Sequence, residues 1–160
     1  MSYAKQTTVP VDRSRLEIER LLHAHGADEF MHATNRSGRA MIVFTCQNRH
    51  VRFELPMPNQ DDPSYQARRR WRNGVGYESA ASRTEKNLEQ ERRRRWRALL
   101  LVVKAKLEAV ASGISTFEQE FLAHIVLPDG RTVGDHTVPA IEAAYASGRM
   151  QPLLGPGGGR

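Results

Sequence analysis

The chain has one cysteine, Cys46, in 160 residues. A lone thiol excludes an intrachain disulfide and any thiolate zinc cluster, and a disulfide-free chain is compatible with a reducing cytosol. Cys46 sits in a β-branched, aromatic-rich stretch, so a buried, inert thiol is expected. No window approaches the roughly 18 apolar residues that a membrane span needs. The opening MSYAKQTTVPVDRSR has no apolar core of the kind a signal peptide carries. Neither a membrane span nor a signal peptide is therefore expected.

Motifs for catalysis are equally scarce. His23 and His25 stand two apart on an expected helix and point to different faces. His32, His50, His124 and His136 complete the set without an HExxH or similar ligand spacing. The serines lack a GxSxG setting, and no glycine-rich run leads into a Lys-Ser/Thr pair. The closing GPGGG resembles a phosphate loop in composition alone. Glu54, Asp61, Asp62, Asp129 and Asp135 are available to hold Mg²⁺. Their spacing is that of ordinary turn formers, and Asp129 belongs to a Pro-Asp-Gly turn. A catalytic site, a metal and a cofactor are accordingly not expected. A small nuclease using Asp61 and Asp62 stays open as a third class of function.

What the chain does have is regional charge. The net charge is +6, yet residues 68–106 hold thirteen Lys or Arg against four Glu. That stretch carries a surplus of nine, so the remainder sums to −3. Basicity concentrated in this way marks an anion-binding surface rather than uniform solubilising charge. Apolar content of 39% is low for a globular chain, which predicts a modest core flanked by loops and loose ends.

Residues 85–112, EKNLEQERRRRWRALLLVVKAKLEAVAS, contain no Pro or Gly and predict a long central helix. On a 100° wheel Leu99, Leu100, Val103, Leu107 and Val110 fall within about 60° of Trp96. Arg93, Arg97 and Lys104 share a neighbouring flank, with Arg94 further round. Leu101 and Val102 fill much of the rest, which predicts burial of the helix middle on several sides.

The other elements follow from local signals. Residues 1–11 read as a mobile arm. Asp12 or Ser14 is placed to cap a helix ending near His25, with Leu16, Leu21 and Leu22 on its apolar side and Gly26 at its C-terminus. The charges of this helix read as a solvated face. Residues 40–46 and 50–55 predict a β-hairpin, and residues 30–34 a third strand. Residues 56–82 form a long loop with three prolines, and loops of that length are usually functional or disordered. Gly113 stands where the central helix should stop. Ser115 or Thr116 opens a second helix, Phe117 to about His124, with Glu118 in position for a capping box from Ser115. A small hairpin follows around the turn at residues 128–130. Pro139 suits the first turn of a last helix ending near Gly148. Residues 149–160 read as a flexible tail. The whole predicts a single α+β domain over residues 12–148, a small antiparallel sheet packed on the central helix with short flanking helices.

The candidate binding residues fall in two clusters, RRRWR at residues 68–72 and RRRRWR at residues 92–97. Arginine offers phosphate a planar, permanently charged fork, and an indole can stack on an exposed base. The site residues are therefore Arg68, Arg69, Arg70, Trp71 and Arg72 in the loop, and Arg93, Arg94 and Arg97 on the helix. Tyr65 and Tyr77 are further stacking candidates. Trp96 lies on the apolar stripe and reads as core rather than platform. Glu85, Glu89 and Glu91 sit one turn before the arginines and are placed to quench part of their charge.

The stretches YAKQTTVPVDRSRLEIERLL, RRRWRALLLVVKAKLEAVASGISTFEQEFLAHIVLPDGRTVG and GRMQPLL cover more than half of the chain. In character the sequence resembles a family of small, uncharacterised basic proteins of tailed phages and prophages. That resemblance implies a phage-encoded protein acting in the bacterial host cytoplasm, and it assigns no site residue. The expected function is non-catalytic binding of nucleic acid, single-stranded DNA included. The alternative is an inhibitor whose basic surface docks on a host defence or regulatory protein. Spare apolar surface leaves self-association open.

Overall fold

A computed structural model describes residues 7–34, 39–59, 80–150 and 152. Over these residues the chain runs α1 (Val11–Ala24), β1 (Ala27–Thr34), β2 (Arg39–Cys46), β3 (Arg49–Pro56), α2 (Ala80–Ala111), α3 (Phe117–Phe121), a 3₁₀ turn (Leu122–His124) and α4 (Val133–Ser147). The strands form one antiparallel sheet in the order β1-β2-β3. The α+β class expected from the sequence is what the chain adopts.

The sheet alternates as a half-buried sheet should. Ala40, Ile42, Phe44 and Cys46 of β2, with Val51 and Phe53 of β3, are buried against the helices. Met41, Val43 and Arg52 occupy the other face, and Met31 on the same side is 57% exposed. Gln47 and Asn48 join β2 to β3 with positive φ at both positions, the backbone that matches the twist of a tight hairpin.

α2 spans 32 residues, about 48 Å at 1.5 Å per residue. Its Trp96, Leu99, Leu100, Val103 and Leu107 meet Ile18 and Leu22 of α1 and the inner face of the sheet. Phe121 of α3 stands edge-on to Phe44 and Phe53 and stacks on Phe117 at 4.6 Å. The helix ends in a Schellman motif. Gly113 N–H bonds Val110 C=O, Ile114 N–H bonds Ala109 C=O, and Gly113 takes φ +70.

Several local expectations are corrected. The middle of α2 is not enclosed on all sides: Val102 is 45% exposed, because α1 and the sheet cover one face only. α1 begins at Val11 behind Pro10, with no side-chain cap, so Asp12 and Ser14 lie inside the helix. Ser14, Ile18 and Leu22 make its buried stripe, while Leu16 turns outward. α3 opens at Thr116, one of its two expected starts, and its capping box pairs Thr116 with Gln119 rather than Ser115 with Glu118. α4 starts six residues before Pro139, because Thr132 and Asp135 form a capping box there. Pro139 therefore sits inside α4, where it offers no N–H to Asp135 C=O. The Arg131 guanidinium donates to that carbonyl at 2.8 Å instead, which makes the proline tolerable.

Candidate nucleic-acid interface

α1 and α2 lie side by side and run in the same sense. Gln90 Nε2 donates to Thr7 C=O, the Arg15 guanidinium lies 4.6 Å over the Trp96 ring, and Arg97 Nη1 reaches Glu17 Oε2 at 2.8 Å. Each contact lies further along both segments than the one before it. The pairing follows from the two apolar stripes, since Ile18 and Leu22 must meet Leu99, Leu100 and Val103 to leave water.

That packing sets one flank of each helix against the other. On α1 the flank carries Arg13, Glu17 and Arg20, four and then three residues apart. On α2 it carries Arg93, Arg97 and Lys104, four and then seven apart. Arg13 and Arg97 meet at Glu17 across the seam, Arg93 is bonded to Glu89 at 2.9 Å, and Arg20 and Lys104 stand further along the same two helices. Arg13 shares Glu17 with Arg97 at 3.4 Å. Arg20 and Lys104 are exposed, and among the described residues neither has a carboxylate partner.

Arg92, Arg94 and Arg95 pair with glutamates of α2 itself. Arg92 lies 3.5 Å from Glu85, Arg94 lies 3.4 Å from Glu91, and Arg95 lies 2.9 Å from the same Glu91. Arg95 also donates to Pro56 C=O, fixing the end of β3 against α2. Glu89 with Arg93 and Glu91 with Arg95 have the favourable i,i+4 order, carboxylate first, worth about 0.3–0.5 kcal/mol each. Quenching by the preceding glutamates, anticipated from their spacing, is therefore real. A surplus survives it, since residues 83–106 carry nine Lys or Arg against Glu85, Glu89 and Glu91.

Of the expected site residues, Arg93 and Arg97 meet at the seam, and Arg94 lies further round α2. Trp96 is 1% exposed and belongs to the core. Arg68, Arg69, Arg70, Trp71 and Arg72 lie outside the described residues, as do Tyr65, Tyr77, Asp61 and Asp62. Arg13 and Arg20 were not legible as site residues, because their contribution comes from where α1 packs. The one available signal was their i,i+7 spacing on the flank beside the buried stripe.

A concavity of about 480 Å³ lies between β3 and the start of α4, lined by Arg52, Glu54, His124, Asp135, Val138 and Pro139 among others. Its charges are already spent on one another. Arg52 donates to Gly130 C=O at 2.9 Å, reaches Asp135 Oδ2 at 3.3 Å, and has Glu54 beside its Nε at 3.5 Å. His124 stacks on Phe53 at 3.9 Å, and burial, with Lys106 nearby, pushes its pKa down. This concavity is a structural joint that fastens α4 to the sheet. Cys46 is buried as expected; burial, and secondarily Asp28, pushes its pKa up.

No family model matches the chain, and neither do any curated proteins or solved structures. Among the described residues no helix is long and apolar enough to cross a membrane.

Proposed function

We propose that this protein binds nucleic acid without catalysis, through the α1–α2 seam together with the arginines of residues 68–72. A phage accessory role in the bacterial host cytoplasm is the setting we propose for it. The observation that carries the reading is the seam itself. Two helices with separate sequences bring Arg13 and Arg97 together at Glu17, with Arg93 bonded to Glu89 and with Arg20 and Lys104 exposed on the same two helices. Clustered arginine and lysine of this kind neutralise phosphate and release its counterions, which supplies most sequence-independent affinity.

The test is fluorescence anisotropy with labelled single-stranded DNA, duplex DNA and RNA at several salt concentrations. Wild type is compared with an Arg20→Ala/Lys104→Ala variant and with one in which Arg68, Arg69, Arg70 and Arg72 are Ala. Among the described residues Arg20 and Lys104 have no bonded partner to lose, so their removal should leave the fold intact. Binding that weakens with salt and with either variant is the expected result. Absence of binding by folded protein at about 50 mM salt refutes the reading. It would turn attention to the alternative, an acidic surface on a host defence or regulatory protein.

A further inference from the structure

We infer that the α1–α2 seam recognises phosphate alone, with no base stacked against it, so that its ligand class is any closely spaced polyphosphate backbone. This rests on the nucleic-acid reading above and narrows it.

The argument begins with the aromatic inventory of the two helices. Trp96 is the single Phe, Tyr or Trp in α1 and α2. Single-strand binders of the stacking type need an accessible ring beside the charged groove. Trp96 offers none. Its ring is 1% exposed within the core, and the Arg15 guanidinium lies over it at 4.6 Å. A base seeking that ring would have to displace Arg15 and open the contact between α1 and α2. Arg97 bonded to Glu17 holds that contact from the next residue along.

The cations that remain are placed for a backbone. Arg93, Arg97 and Lys104 cover about 16 Å along α2, and Arg13 and Arg20 about 10 Å along α1. A strand of B-DNA carries a charge about every 3.4 Å of its axis, so several phosphates fall within reach of this line. Against Glu17, Glu89 and the exposed Glu108 one turn beyond Lys104, the five cations leave a surplus of two charges. Such a surplus gives a log–log salt slope of about −2 on duplex, and about −1.4 on a single strand. Removing Arg20 and Lys104 together removes most of that slope.

The discriminating probes, used on a protein with Tyr65, Trp71 and Tyr77 changed to Ala so that only the seam is read, are a labelled single strand, the same strand with every base removed, and inorganic polyphosphate as competitor. The phosphate-only seam predicts that normal and abasic strands bind within about threefold of each other and that polyphosphate displaces both. It also predicts that the Arg20→Ala/Lys104→Ala variant loses affinity equally for the two strands. Tenfold or greater preference for the normal strand overturns the inference while leaving nucleic-acid binding intact. Unchanged binding by that variant also overturns it, because the seam would not then be the contact. Failure of wild type to bind any strand or duplex at low salt removes the nucleic-acid reading itself.

Discussion

Replacing Trp96 by Ala tests the packing on which the seam depends. The indole is almost wholly buried among α1, α2 and the sheet, and it also carries the Arg15 guanidinium. Truncating a buried Trp to Ala costs about 3–5 kcal/mol in lost burial and residual cavity. Loss of the cation–π contact adds roughly 0.5–1 kcal/mol at this partly exposed arginine. For a chain of this length each kcal/mol lowers Tm by about 2–4 °C, so a fall on the order of 10 °C is expected. Trp96→Phe, which keeps most of the apolar volume and a ring for Arg15, should cost clearly less than Trp96→Ala. The assay is urea unfolding followed by far-UV circular dichroism, because Trp71 would still fluoresce and complicate an emission readout. A cost below about 1 kcal/mol for Trp96→Ala, with unchanged m-value, would refute the core assignment. In that case Trp96 would become a candidate stacking platform, and the phosphate-only seam would lose its basis.

Two further predictions concern the joint at α4. A Cβ on Gly134 would lie 2.8 Å from the Ala123 carbonyl oxygen, so Gly134→Ala should destabilise the contact between α4 and the 3₁₀ turn by about 1–3 kcal/mol, measured by urea unfolding. Unchanged stability would show that the turn can retreat. Asp129 is held below the ordinary carboxylate range chiefly by the Arg131 backbone N–H and then by His136, and Asp135 chiefly by the Thr132 backbone N–H, with Arg52 assisting. Depressed carboxylates contribute stability above their unfolded pKa and lose it as pH falls through the folded one. Amide protection factors in α4, corrected for the intrinsic exchange rate at each pH, should therefore fall below about pH 4 while those in α2 hold. An equal fall in both helices would argue against a local cause.

The central helix was written in the sequence because its signals are local. A Pro- and Gly-free run, an apolar stripe through Trp96, Leu100, Val103 and Leu107, and Gly113 at the stop all act within a few turns. The hairpin of β2 and β3 was legible for the same reason, since alternation at Val51, Phe53 and Leu55 needs no distant partner. Cap positions were less secure. Ser115 and Thr116 are both competent caps, as are Thr132 and residues nearer Pro139, and the choice depends on how Phe117 and Phe121 reach the core. The α4 start required Arg131 to satisfy Asp135 C=O, a side-chain bond that spacing does not announce.

The sequence by itself determined that positive charge is concentrated in residues 68–106, and that glutamates one helical turn earlier would offset part of it. Tertiary structure alone decided which cations share a surface. Hydrophobic burial brought Ile18 and Leu22 onto α2, and that contact carried Arg13 and Glu17 of α1 to Arg97 of α2. It also placed Trp96 beneath Arg15 and out of reach of any ligand. Burial is non-directional, so a pattern of apolar residues shows which face of a helix will be covered and leaves open which neighbour covers it. The identity of that neighbour assembled the seam.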